Sequence, residues 1–132
     1  MEISRLRNTE GMTMLKVVLD TNFCLIPFQF KVDIFSEFER IFDEEFRIMI
    51  PFVCVEELRT KKMGIAAIDL IENRNVIVVD ITRTKTVDDT ILALALKEHA
   101  LIATQDAELK RKAKKAGIHI VTLRKEQHLA LE

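Results

Sequence analysis

The stretch Leu15-Lys16-Val17-Val18-Leu19-Asp20-Thr21-Asn22 decides the fold class. Five residues, apolar but for one lysine and rich in β-branched side chains, end abruptly at three polar ones. A strand covered on both faces reads as such a continuous apolar run, whereas a half-exposed strand alternates. The run therefore predicts a buried parallel strand whose last residue delivers Asp20 to the lip of the core.

Working outward, Phe23 to Phe30 is an apolar segment broken at Pro27. A helix is expected over about Val32 to Phe42, because Ile34, Phe35, Phe38, Ile41 and Phe42 share one face. Phe46 to Ile50 reads as a second strand, and Pro51 suits the first turn of a helix over about Phe52 to Lys62. Gly64 breaks that helix and another follows over Ile65 to Glu72. Val76 to Val79 is a third strand, ending at Asp80. A polar link leads to a helix over Val87 to His99, then a fourth strand, Leu101 to Thr104. A basic helix over Ala107 to Ala116 stops at Gly117, a natural C-terminal cap residue. Ile118 to Leu123 is the fifth strand, and Arg124 to Glu132 a tail read as a short or frayed helix. Strands alternating with helices imply right-handed βαβ units, hence a three-layer α/β/α fold around a five-stranded parallel sheet. Residues 1–13, ahead of the first strand, read as an N-terminal extension, and 14–132 as a single domain.

The 132 residues are 48% hydrophobic and 31% charged, which suits a globular core and leaves no apolar run long enough to span a bilayer. No secretory leader is visible at the start of the chain. Cys24 and Cys54 lack metal-type spacing and sit among apolar neighbours, so both are expected to be buried reduced thiols, in keeping with a cytoplasmic protein. The net charge of −1 gives no global pull toward nucleic acid, but Leu109 to Lys125 contains no acid and many bases.

In open parallel sheets, functional residues collect beyond the carboxyl ends of the strands. Strand one ends at Asp20. Strand two leads to Glu56 and Glu57, strand three to Asp80 and then Asp88 and Asp89, and strand four to Asp106. Clustered carboxylates repel one another and call for a cation, and hard oxygen donors without histidine or cysteine suit Mg²⁺ or Mn²⁺. Such an ion makes water acidic and neutralises a phosphate. Gly11, Gly64 and Gly117 form no phosphate-binding loop, which disfavours dinucleotide or ATP binding.

These residues resemble the PIN domain, over nearly the whole of Leu15 to Leu123 and closest to its VapC-like and archaeal ribosome-processing branches. The correspondence lies in Val-Val-Leu-Asp20-Thr21-Asn22, in Val55-Glu56-Glu57-Leu58, in Asp88-Asp89-Thr90-Ile91-Leu92-Ala93, and in Ala103-Thr104-Gln105-Asp106. The resemblance selects Glu57 over Glu56 and Asp88 over Asp89. It implies Asp20, Glu57, Asp88 and Asp106 as catalytic metal ligands, with Thr21, Asn22, Asp89 and Thr104 in support. It also implies a Mg²⁺ or Mn²⁺ cofactor and hydrolysis of RNA, either as a toxin or as a processing nuclease. In the VapC-like branch it further implies an antitoxin partner and a homodimer.

Each acid also has a plainer explanation. Asp88, Asp89 and Asp106 begin helices, where aspartate caps exposed N–H groups or meets the positive end of the helix dipole. Asp80 reads as an ordinary strand-end residue. Candidate phosphate contacts are Arg59, Lys61 and Lys62 after the second strand, and Lys110, Arg111 and Lys114 on the basic helix, although a basic helix is more often a solvated face. Phe28 and Phe30 are candidates for stacking on a base or for a protein interface. Other classes carry less. A non-catalytic RNA- or protein-binding module would have no need of the full acid set. A dehalogenase-type phosphatase needs an acid where Asn22 stands, and a receiver domain needs an acid pair ahead of its phosphorylated aspartate.

Overall fold

A computed structural model describes residues 14–82 and 86–132. Residues 1–13, read above as an extension, lie outside the described residues. The strands are β1 (Leu15–Leu19), β2 (Phe46–Pro51), β3 (Ile77–Val79), β4 (Leu101–Ala103), β5 (Ile120–Arg124) and β6 (His128–Leu131). The helices are α1 (Ile26–Phe30), α2 (Ile34–Ile41), α3 (Phe52–Leu58), α4 (Gly64–Asn73), α5 (Val87–Glu98) and α6 (Ala107–Lys115), with a 3₁₀ turn over Asn22–Leu25. The layers are α/β/α, as expected.

The sheet order is β3-β2-β1-β4-β5-β6. β1 is central, and its Val17, Val18 and Leu19 are wholly buried, which is why its sequence does not alternate. From β1 the chain builds outward through β2 to β3, crosses back through α5, and continues on the other side of β1 with β4. β1 and β4 therefore flank the point where strand order reverses, the place in such sheets where a crevice opens.

The sheet has six strands rather than five. The tail over Arg124 to Glu132 is a β-hairpin arm, and β6 runs antiparallel to β5 with Arg124 opposite His128. Lys125 and Glu126 both adopt φ of 54° in the connecting turn. Leu129 is fully buried, and α2 grips its backbone: Leu129 N donates to Glu37 Oε1 at 2.9 Å, and Arg40 donates to the Leu129 carbonyl at 2.6 Å. A contact between residues so far apart in sequence leaves no local periodicity, so the tail reads as a frayed helix from its own composition.

Local chemistry sets the other boundaries. Asp33 caps α2 by accepting from Phe35 N and Ser36 N. Phe38 stacks on Phe42 at 5.8 Å between ring centres, and both rings meet Phe46 of β2. Pro27 lies in the first turn of α1, where its missing N–H costs nothing, so it starts a helix rather than breaking a segment. Gly64 likewise opens α4: a Cβ there would lie 1.6 Å from the Leu58 carbonyl oxygen, so only glycine lets the α3–α4 corner close. No helix among the described residues is long and apolar enough to cross a membrane.

Candidate functional site

Asp20 leaves the buried end of β1 and is itself only 8% exposed. Its backbone N–H donates to the Ala103 carbonyl at 3.1 Å, tying it to β4. The next residue of that strand end completes the link, because Thr104 Oγ1 donates to Asp20 Oδ2 at 2.8 Å. The same hydroxyl oxygen accepts from Asp106 N at 3.0 Å. Asp106 in turn caps α6, its Oδ1 accepting from Leu109 N at 2.8 Å. One fully buried threonine thus connects the first and fourth acids across the reversal of strand order.

Asp88 enters from the first turn of α5. Neither Asp88 nor Asp89 is the cap of that helix; Thr86 is, through a bond from Asp89 N to its Oγ1 at 3.0 Å. The capping explanation therefore holds for Asp106, while Asp88 and Asp89 lie in the first turn of α5 at the positive end of its dipole. Burial lifts the Asp20 carboxyl to about 6. The Thr104 hydroxyl and the Thr21 backbone oppose that shift, while the charges of Asp88 and Asp106 add to it. Asp88 is also held above the ordinary carboxylate range, first by burial and then by Asp106. Three acids from three separate elements accordingly repel one another at one sheet edge.

Glu57 is half-buried in the last turn of α3. The buried Cys54 thiol feels the carboxylates of both Glu57 and Asp20. Burial pushes that thiol up to about 12, and Cys24 higher still, so both cysteines are buried free thiols. The Thr21 hydroxyl is buried with no conventional hydrogen-bond partner beyond the weak one the Cys54 thiol offers. Asn22 and Glu56 are exposed.

The donor set fits a hard divalent cation: carboxylate oxygens, mutually repelling, at a half-open edge. Among the described residues no three acids are already drawn in to ligand distance.

The basic residues are distributed differently from their sequence. Lys110 and Lys114 share the Glu132 carboxylate at 3.1 and 3.0 Å, and Arg111 pairs with Glu108. Arg59, Lys61 and Lys62 are exposed at and beyond the end of α3. The cation that α6 turns toward the acids is Lys112, 3.6 Å from Asp89 and close enough to Asp88 to draw its pKa down. Sequence reasoning passed over Lys112 for its neighbours. Its three-residue spacing from Leu109, which is wholly buried, was the available signal that it turns inward.

Residues 17–126 match the model of the PIN like domain. The chain belongs to the PIN-like domain family. A curated relative, Ribonuclease VapC4 of Methanocaldococcus jannaschii, is 30% identical over 128 residues, covering 89% of this chain and 97% of the relative. Among solved structures, the PIN domain endonuclease Utp24 superposes with a TM-score of 0.78 at 24% identity, covering 89% of this chain and 90% of that one. A PilT N-terminus domain protein of Sulfolobus solfataricus P2 superposes at 0.54 with 17% identity, over 82% of this chain and 87% of the other. These two likenesses are of fold. In the PIN-like domain described here, the acids expected from the sequence all lie beyond the carboxyl ends of parallel strands, with Asp20 and Asp106 bonded to one threonine.

Proposed function

We propose that this PIN-like chain is a Mg²⁺- or Mn²⁺-dependent endoribonuclease of the cytoplasm. The observation that carries the proposal is the meeting of Asp106 and the buried Asp20 on one Thr104 hydroxyl at the crevice of the sheet, with Asp88 close enough to add its charge. Keeping like charges together costs stability, and a site that accepts this cost is suited to a cation. The curated relative's name, ribonuclease, supports the reaction class.

In this proposal Asp20, Glu57, Asp88 and Asp106 hold the ion, and a divalent cation bound there supplies acidified water and charge neutralisation at a phosphodiester. Thr104 orients Asp20 and keeps Asp106 at the head of α6. Thr21 and Asn22 shape the turn that follows Asp20, and Asp89 holds Lys112 beside the cluster. Arg59, Lys61 and Lys62 are exposed and available to RNA phosphates. A phosphate approaching Lys110, Arg111 or Lys114 must compete with Glu132 or Glu108. An antitoxin partner and a homodimer belong to the VapC-like version of this function.

The test is cleavage of single-stranded RNA by the purified chain with Mg²⁺, with Mn²⁺ and with chelator. Activity that needs either ion and disappears in Asp20→Asn and Asp106→Asn supports the assignment. Unchanged cleavage by a folded Asp20→Asn variant refutes it.

A further inference from the structure

Beside the acid edge, between α1 and the β5–β6 hairpin, lies a cavity of about 470 Å³. That volume is within the range of small-molecule sites, about 300–1,000 Å³. Its walls adjoin two acids of the cluster along the chain, since Asn22 stands two residues after Asp20 and Gln105 immediately before Asp106.

The two sides differ in freedom. On the sheet side, the Gln105 amide is spent: its Oε1 accepts from Leu123 N and Thr122 Oγ1, and its Nε2 donates to the Leu123 carbonyl at 3.1 Å. That clamp holds Leu123 as a fixed apolar wall. On the helix side, Gln29 and Asn22 are exposed, and Phe30 is 37% exposed. An aromatic ring that remains open at the mouth of a cavity offers a stacking face, which any base can use. The free carboxamides of Gln29 and Asn22 can both donate and accept, as a base edge requires. At the rim Lys125 and Glu126 bring opposite charges, so the cavity does not select an anion, and a neutral ring suits it better than a phosphate.

We infer that this cavity receives the base of the nucleotide adjoining the scissile phosphate of single-stranded RNA, with Phe30 stacking on it and Gln29 and Asn22 reading its edge. The inference rests on the ribonuclease function proposed above, and deepens it by naming where sequence preference arises.

Two measurements on the full chain test it. In the first, the Asp20→Asn variant with Mg²⁺ is titrated with the RNA tetranucleotides rA4, rC4, rG4 and rU4 while the Phe30 ring and Gln29 side-chain NMR signals are followed. At least one tetranucleotide should shift both. Adding Phe30→Ala should weaken its binding about tenfold, and Phe30→Trp should retain it. In the second, cut sites on random single-stranded RNA are mapped for the native chain and for Phe30→Ala and Gln29→Ala, both of which should flatten base preference at one position beside the cut. The inference is overturned if no tetranucleotide moves the Phe30 and Gln29 signals, or if Phe30→Ala and Gln29→Ala leave affinity and base preference unchanged. The two proposals fail separately. Metal-dependent cleavage lost in Asp20→Asn but indifferent to Phe30 and Gln29 refutes only the base pocket. Tetranucleotide binding at Phe30 by a chain that cuts no RNA refutes only the nuclease.

Discussion

Thr104 and Asp20, 84 positions apart in sequence, are joined by a 2.8 Å hydrogen bond in which the threonine hydroxyl donates to Asp20 Oδ2. Because that hydroxyl also accepts from Asp106 N, it is spent twice and ties the two acids together. Thr104→Val keeps the shape and removes both bonds. A partly buried N–H and a buried carboxylate lose their partner, so a loss of about 1–3 kcal/mol in stability is expected by chemical denaturation. The Asp20 pKa should rise above about 6, since the Thr104 bond is what most opposes its burial. Thr104→Ser should restore both; a valine variant with unaltered stability and Asp20 titration would show the link to be idle.

Asp20 itself should make the metal-free protein less stable at neutral pH. Its carboxyl sits at about 6 in the folded chain against an ordinary 3.8, so the folded state holds the extra proton between those values. Stability therefore falls as pH rises through that window and stays lower above it. The shift corresponds to about 3 kcal/mol. In chelator, Asp20→Asn should be more stable than the native chain at pH 7.5, with the gap closing toward pH 4. Thermal melts across that range check it, and a gap independent of pH would contradict it.

Lys112 competes with any cation for the neighbourhood of Asp88 and Asp89. Lys112→Met keeps the side-chain bulk and removes the charge. Mn²⁺ affinity by titration calorimetry should rise several-fold, about 0.5–1 kcal/mol for one partly exposed charge. Unchanged affinity would place Lys112 outside the field of the cluster.

Glu132 ties Lys110 and Lys114 together. Glu132→Gln removes the charge the two lysines share, while leaving the bond from Lys110 Nζ to Thr122 Oγ1 at 2.8 Å and the backbone bond from Glu132 N to the Ile120 carbonyl. If RNA uses this face, affinity should rise and the plot of log K against log salt should steepen by about 1–2 units. An unaltered salt slope would assign the face to stability alone.

Gly64→Ala should be severe for so small a change, because the new Cβ at this buried helix start meets the Leu58 carbonyl carbon and oxygen at 2.7 and 1.6 Å. Backbone on both sides must move, and a loss of more than about 3 kcal/mol is expected by urea denaturation. A near-native midpoint would show that the α3–α4 corner can relax.

Much of this is legible in the chain itself. Asp33, Pro27 and the Phe35–Phe38–Phe42 spacing act over one or two helical turns, so their consequences appear locally. The acids at the strand ends could be enumerated, because parallel topology sends every strand end to one edge. What misled local reading were residues whose partners are remote. Lys110 and Lys114 read as a free basic face until Glu132 comes back along β6 to meet them. The tail reads as helix until Glu37 and Arg40 take hold of Leu129.

The sequence by itself determined the α/β alternation, the burial of β1 and the list of candidate acids, since each depends on side-chain period and on neighbours a few residues away. Only the tertiary structure decided that Asp20 is bonded to Thr104 and repelled by Asp88 and Asp106, and that Lys112 is a cation facing them. The reason is physical: charge interaction and desolvation fall off with distance in space, and distance in space between strand ends is set by sheet order, which no local pattern contains.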